Sequence, residues 1–266
     1  FHIRIEDIDR TRSRSEYESA ILDDLDWLGI EWRQPVVRQS ERQGTYDVAL
    51  AGLAEAGLCY PCRCTRSDIR QALLAPHGQN GSTRASVYPG TCRNRSMRER
   101  QPTDAIRLNM AALMTLLGGP DGLRQLRFRE IGPRHAGVHA PDPGDLLGTI
   151  GDVVLARADV GTSYHLSVVL DDAAMGVTHV TRGEDIFAFT GLHRALQAAL
   201  GLPTPVWRHH RLIRDVNGKR LAKRDNARSL KTLREAGWRA EEILALFSHP
   251  ESTGSASVGI RLEPNH

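Results

Sequence analysis

Four cysteines lie close together in the chain: Cys59, Cys62 and Cys64 in the run Cys59-Tyr60-Pro61-Cys62-Arg63-Cys64, and Cys92 in Tyr88-Pro89-Gly90-Thr91-Cys92-Arg93. Thiolates grouped in this way suit a tetrahedral Zn2+, which takes four ligands. No secretory signal is visible, so a reducing compartment is expected, where disulfides are rare. A Cys62–Cys64 bridge would also be strained. Cys62, Cys64 and Cys92 supply three ligands. By spacing alone Cys59 is the default fourth, and Tyr88, four residues before Cys92, is a rarer one. The competing reading is that the cysteines are small buried hydrophobes, which fits scattered cysteines better than a cluster.

A second group of residues could handle phosphate. The chain has three lysines, Lys219, Lys223 and Lys231, while arginine serves nearly everywhere else. Lysine is a compact point charge on a flexible stem and guanidinium is a planar fork. The stretch Asn217-Gly218-Lys219-Arg220-Leu221-Ala222-Lys223-Arg224 can hold a polyphosphate and stabilise charge in a transition state. Read alone, it is equally a solvated turn opened by Asn-Gly. Glu6, Asp7 and Asp9 could bind an ammonium group or a metal, or cap the following helix, and capping is the commonest use of acids in that position. Arg182, in Thr181-Arg182-Gly183-Glu184-Asp185, sits at an expected strand exit. There a guanidinium can clasp a carboxylate or pair with Glu184 or Asp185.

The elements that must position these residues follow from periodicity and punctuation. Residues 3–9 read as a strand with an acidic exit. Ile21, Leu22, Leu25 and Leu28 mark a helix that Ser13 or Ser15 can cap and Gly29 can end. A helix from Ser40 to about Ala56 starts with a Ser40/Gln43 capping box. Residues 151–157 and 164–172 read as strands, with a hairpin around Asp159–Thr162 and Tyr164 opening the second. Residues 176–186 and 205–213 are strands, 190–202 a helix, and 229–247 two short helices split near Gly237. Strands alternating with helices favour a doubly wound α/β sheet with ligands at the strand C-terminal ends.

Composition narrows the class. Of the 266 residues, 40% are hydrophobic and 25% charged, as in a globular protein, and no apolar run reaches the length of a membrane span. The net charge of +3 does not announce a nucleic-acid binder. The arginines do crowd residues 93–107, 124–134 and 208–224, which allows a basic face, though a solvated surface explains them as well.

Taken together, Arg4-Ile5-Glu6-Asp7-Ile8-Asp9-Arg10-Thr11-Arg12, the stretch 164–186, the Leu-Gly…Pro…Pro segment at 200–205 and residues 218–230 resemble the glutamyl-tRNA synthetase group of class I aminoacyl-tRNA synthetases. They occur in that group's order. Within it the chain is most similar to the glutamyl-queuosine tRNA(Asp) synthetases. Cys62-x-Cys64, then 23 residues, then Tyr88-x3-Cys92 matches that subfamily's zinc pattern, which moves the fourth ligand from Cys59 to Tyr88.

The resemblance implies an α/β class I Rossmann nucleotide-binding fold with an inserted zinc-binding subdomain and short C-terminal helices. The expected domains are 1–57 (first part of the catalytic domain), 58–140 (inserted zinc subdomain), 141–216 (second part of the catalytic domain), 217–247 (signature loop and short helices) and 248–266 (a flexible tail). It implies a cytoplasmic, monomeric enzyme that is not a membrane protein. Its partners would be L-glutamate, ATP with Mg2+, and tRNA(Asp) bearing queuosine. Glu6 would hold the substrate ammonium, and Tyr164 and Arg182 would contact glutamate. Arg220, Leu221, Ala222, Lys223 and Arg224 would form the KMSKS-type ATP loop, with Lys223 catalytic. Cys62, Cys64, Tyr88 and Cys92 would hold a structural zinc.

Two departures stand out. The HIGH-like signature and first strand of such enzymes should precede Phe1, so the natural N-terminus is expected to be missing. The signature loop also has Arg220 and Ala222 where lysine and serine are usual. On the length given, the large C-terminal anticodon-binding domain of a true glutamyl-tRNA synthetase is expected to be absent. Other readings are a truncated glutamyl-tRNA synthetase charging tRNA(Glu), or a non-catalytic tRNA-binding paralogue.

Overall fold

A computed structural model describes residues 1–9, 11, 13–74, 87–212 and 229–248. The expected signature loop, Arg220 to Arg224 with Lys223, and residues 249–266 of the expected tail lie outside the described residues.

Strands β1 (His2–Ile5) and β2 (Arg33–Arg38) flank helix α1 (Ser15–Trp27). Helix α2 (Gln43–Glu55) leads into β3 (Cys59–Cys62) and α3 (Arg66–Leu74). Next come β4 (Ala105–Leu108), α4 (Met110–Leu116), α5 (Gly119–Gln125) and the hairpin of β5 (Phe128–Glu130) and β6 (Gly137–His139). A single turn, α6 (Pro143–Asp145), runs into a wider turn at Leu146–Ile150. Then follow β7 (Val154–Ala156), α7 (Tyr164–Ala174), β8 (His179–Gly183), α8 (Thr190–Ala199) and β9 (Val206–His210), with α9 (Leu230–Glu235) and α10 (Ala240–Ser248) after residues 213–228.

The chain divides into two compact units, Phe1–Gln39 with His210–His266, and Ser40–His209. In the first, β1 and β2 pair in parallel, with His2 opposite Arg33 and Ile5 opposite Arg38. A parallel pair needs a crossover, and α1 supplies it. Gly29 has φ 69°, the left-handed conformation that lets the chain leave a helix sharply. Both carboxylate oxygens of Glu18 accept from Arg38 Nε, at 3.1 and 3.2 Å, tying α1 to β2.

The second unit holds the main core. Leu50 and Leu53 of α2, Ile106 and Leu108 of β4, Leu155 of β7, Leu166 and Val169 of α7, and Leu192 and Leu196 of α8 form one apolar cluster. Strands β3, β4 and β7 make an antiparallel sheet in that order. The other sheet runs β6-β5-β9-β8, with β5 and β9 parallel. Both sheets cross the boundary expected at residue 140, since β4 pairs with β7 and β5 with β9. Among the described residues the strands form separate sheets of two, three and four rather than one doubly wound sheet. No helix among the described residues is long and apolar enough to cross a membrane.

Several local expectations are corrected. Residues 164–172 are helical, not extended, and no hairpin forms at Asp159–Thr162. Leu166, Ser167, Val168, Val169 and Asp171 are all buried, so α7 is covered on several sides and carries the near-continuous apolar run that also marks a buried strand. The buried Asp171 is tolerated because Tyr46 Oη donates to it at 2.8 Å and Arg42 Nε at 2.6 Å. The expected Ser13 or Ser15 cap of α1 and the Ser40/Gln43 capping box of α2 do not form. The N-caps of α1 and α2 are Arg14 and Arg42, without side-chain caps, and Gln43 instead donates to Asp47.

Candidate functional site

Two groups of polar residues stand out in the second unit. The first surrounds Arg182, the penultimate residue of β8. Its Nε donates to His209 Nε2 at 2.9 Å, its Nη1 to His193 Nδ1 at 2.9 Å, and its Nη2 to Thr190 Oγ1 at 2.8 Å. Thr190 and His193 lie on the first turn of α8, and His209 lies on β9, whose alternation turns Trp207 and His209 inward. His209 Nδ1 in turn faces Glu130 Oε2 at 2.5 Å, with both side chains fully buried. His193 Nε2 meets His165 Nδ1 at 3.0 Å. Tyr164, the first residue of α7, lies edge-on to His165 and tilted to His193, with ring centroids 5.6 and 5.7 Å away, and interacts with Arg182.

Electrostatics follow from burial around one cation. Burial pulls the Arg182 pKa down, and Tyr164, Asp172 and Glu130 counter it. Burial and then the Arg182 charge press His165 to about 4 and His193 well below its usual value. Burial also lowers His209, against the pull of Glu130. Burial would raise Glu130, but the backbone and ring of His209 and the backbone of Gly132 donate to it and hold it below the usual carboxylate range. The result is a guanidinium beside neutral imidazoles, an arrangement able to bind a carboxylate.

The expected glutamate contacts Tyr164 and Arg182 are therefore adjacent. Glu6, just past β1 in the other unit, is exposed and accepts from Arg4 Nη2 at 3.4 Å. Arg182 pairs with His209, His193 and Thr190, while Glu184 pairs with Arg134 at 3.0 Å. Sequence reasoning missed Glu130, Gly132, His165, Thr190, His193 and His209. The available signal was a histidine on the apolar face of each of α7 and α8, and one at an inward position of β9.

The second group is the cysteine cluster. The sulfurs of Cys62, Cys64 and Cys92 all lie within 4.8 Å of one another. Tyr88 Oη sits 3.4 Å from both Cys62 Sγ and Cys64 Sγ and accepts from Cys92 N at 2.9 Å. Cys59 is elsewhere. Side chains alternate along β3, so Tyr60 and Cys62 face the cluster while Cys59 joins the apolar core, where burial pushes its thiol up to about 12. Burial opposes ionisation of Cys92, but hydrogen bonds from the Arg63 backbone, Tyr88, Cys64 and Cys62 bring it down to about 7.

Arg107 supports the cluster from β4. Its guanidinium lies 3.9 Å over the Tyr88 ring, and its Nε donates to Cys62 Sγ at 3.3 Å. Asp152 braces the far side, accepting from Tyr60 Oη at 2.5 Å, Arg93 Nε at 2.7 Å and Met110 N at 3.0 Å. Three thiols and a phenol converging in this way are a donor set suited to a four-coordinate soft metal.

Residues 1–112 and 142–251 match the family described as tRNA synthetases class I (E and Q), catalytic domain. The glutamyl-Q tRNA(Asp) synthetase of Rhodobacter capsulatus is 51% identical over 251 residues, covering 93% of this chain and 87% of that protein. The chain belongs to the class I tRNA synthetase family, in its glutamyl-Q tRNA(Asp) synthetase branch. The enzyme of that name from Nocardia farcinica is 40% identical, over 93% of this chain and 73% of its own length. The crystal structure of a glutamate-tRNA synthetase from Elizabethkingia anophelis superposes with TM-score 0.63 at 26% identity, over 85% of this chain and 46% of that one. The chain thus spans about half the length of that solved synthetase. It has the class I tRNA synthetase fold, with mixed α and β content. Residues 113–141, between the two matched stretches, carry Glu130 and Gly132.

Proposed function

We propose that this protein activates L-glutamate with ATP and transfers the glutamyl group to queuosine in the anticodon of tRNA(Asp). In the first step a glutamate carboxylate oxygen attacks the α-phosphorus of ATP, giving glutamyl-adenylate and pyrophosphate. In the second a hydroxyl of the queuosine ring attacks the acyl carbon, AMP leaves, and the hydroxyl proton is released. The observation that carries this reading is the 51% identity, over 93% of the chain, to a glutamyl-Q tRNA(Asp) synthetase.

The roles of the residues follow from their chemistry. Arg182, wedged between neutral imidazoles, holds a carboxylate of glutamate, and Tyr164 beside it helps define the pocket. Glu6 balances the substrate ammonium. Lys223, in the sequence Arg220-Leu221-Ala222-Lys223-Arg224, would meet the ATP phosphates, which Mg2+ accompanies. Cys62, Cys64, Cys92 and Tyr88 hold a zinc ion whose task is structural, because four protein ligands leave no open position for substrate. The fit rests on the convergence of those four side chains and on Arg107, whose Nε donates to Cys62 Sγ.

Glutamate-dependent exchange of pyrophosphate into ATP, measured on the full-length protein without tRNA, tests the first step. Exchange with glutamate and with no other amino acid is expected. Exchange that requires tRNA(Glu) would favour a charging enzyme instead.

A further inference from the structure

Arginine carries only donors, so every ring nitrogen facing Arg182 must present a lone pair. His209 accepts at Nε2 and therefore carries its proton on Nδ1, where Glu130 Oε2 accepts it. His193 accepts at Nδ1 and carries its proton on Nε2, toward His165. Both rings are neutral, each in one tautomer. With Thr190 accepting from Nη2, three of the five donor hydrogens of Arg182 are committed. At most two remain, one on each Nη, and Tyr164 also hydrogen-bonds the guanidinium, so the substrate carboxylate meets the donors that these partners leave.

The His209 tautomer is thus set by Glu130, 79 residues away in sequence. Glu130 is itself fixed, because its Oε1 accepts from the backbone N–H of Gly132 at 2.6 Å and of His209 at 2.8 Å. A Cβ on Gly132 would lie 2.3 Å from His209 O and 2.6 Å from Glu130 Oε1, so only glycine lets the backbone close over the carboxylate.

We propose that Glu130, held by Gly132 and acting through His209, is a positioning residue of the amino-acid site. It fixes the His209 tautomer, and with it the orientation in which Arg182 presents its remaining donors to the substrate carboxylate. This rests on the glutamate-activating reading above.

Glu130→Gln isolates the effect. Its oxygen can still accept from the two backbone N–H groups, but its NH2 then faces His209 Nδ1. The histidine proton is driven to Nε2, against the Arg182 Nε–H. In pyrophosphate exchange by the full-length protein, the KM for glutamate should rise about tenfold, as for loss of one charged hydrogen bond, with the KM for ATP within about twofold. Long-range 1H–15N spectra of histidine-labelled protein should report the Nδ1–H tautomer of His209 in the wild type and its loss in the variant. His209→Gln, which removes the relay, should raise the glutamate KM in the same selective way.

A purely structural role would lower the melting temperature without separating the two KM values. Unchanged glutamate KM in both variants with exchange intact would overturn the proposal alone. Absence of glutamate-dependent exchange in the wild type would overturn the functional reading and the proposal together.

Discussion

Tyr88→Phe is the sharpest perturbation of the cysteine cluster. It deletes one oxygen, the one lying 3.4 Å from Cys62 Sγ and Cys64 Sγ, and leaves the ring beneath Arg107 in place. A structural zinc site contributes about 10–16 kcal/mol, shared over four ligands. One ligand therefore accounts for about 3 kcal/mol, so zinc affinity should fall on the order of 100-fold. The Cys92 N–H also loses its acceptor, which costs about 1 kcal/mol of stability. Cys59→Ala is the matched control. It removes a sulfur from the apolar core, costing about 1 kcal/mol, and should leave zinc affinity unchanged. Zinc stoichiometry by mass spectrometry, with competition against a chromophoric chelator, separates the two variants. Tight zinc in Tyr88→Phe together with lost zinc in Cys59→Ala would refute the assignment, because it would require β3 to present Cys59 on the face that Cys62 occupies.

Other predictions concern the supports of the two groups. Asp152→Ala leaves the Tyr60 hydroxyl and the Met110 N–H without their acceptor, so it should destabilise the protein by about 3 kcal/mol in urea titration, against about 1 kcal/mol for Tyr60→Phe. Gly132→Ala should cost about 1–3 kcal/mol from the backbone displacement its Cβ demands, and calorimetry should show a lowered melting temperature with zinc content retained. Lys223→Ala should slow pyrophosphate exchange on the order of 100-fold while leaving zinc content intact, and an unchanged rate would remove Lys223 from the ATP site.

Much of this organisation was legible because it is local. The split of 229–247 near Gly237 appears as α9 and α10, with Gly237 at φ 91°. Arg182 at a strand exit was readable from Val180-Thr181-Arg182-Gly183, and the cysteine spacing already named Cys62, Cys64 and Cys92. Which of Cys59 and Tyr88 lies beside Cys62 depends on a strand's alternation, which spacing cannot convey until β3 is known to be a strand. The helix α7 was misread because burial on several sides removes the polar stripe that distinguishes a helix, and Val168 and Val169 add β-branched character. The support of Arg182 was not legible. Glu130, Thr190, His193 and His209 come from two strands and a helix, and nothing in Phe128-Arg129-Glu130-Ile131-Gly132 announces a partner in His209.

The central claim is the destination of the glutamyl group, and one measurement addresses it directly. Labelled glutamate and ATP are incubated with the full-length protein and, separately, tRNA(Asp) bearing queuosine, tRNA(Asp) lacking it, and tRNA(Glu). Label on the queuosine-bearing tRNA(Asp) alone is the predicted result. Label on tRNA(Glu), or binding of tRNA with label on none, would contradict it.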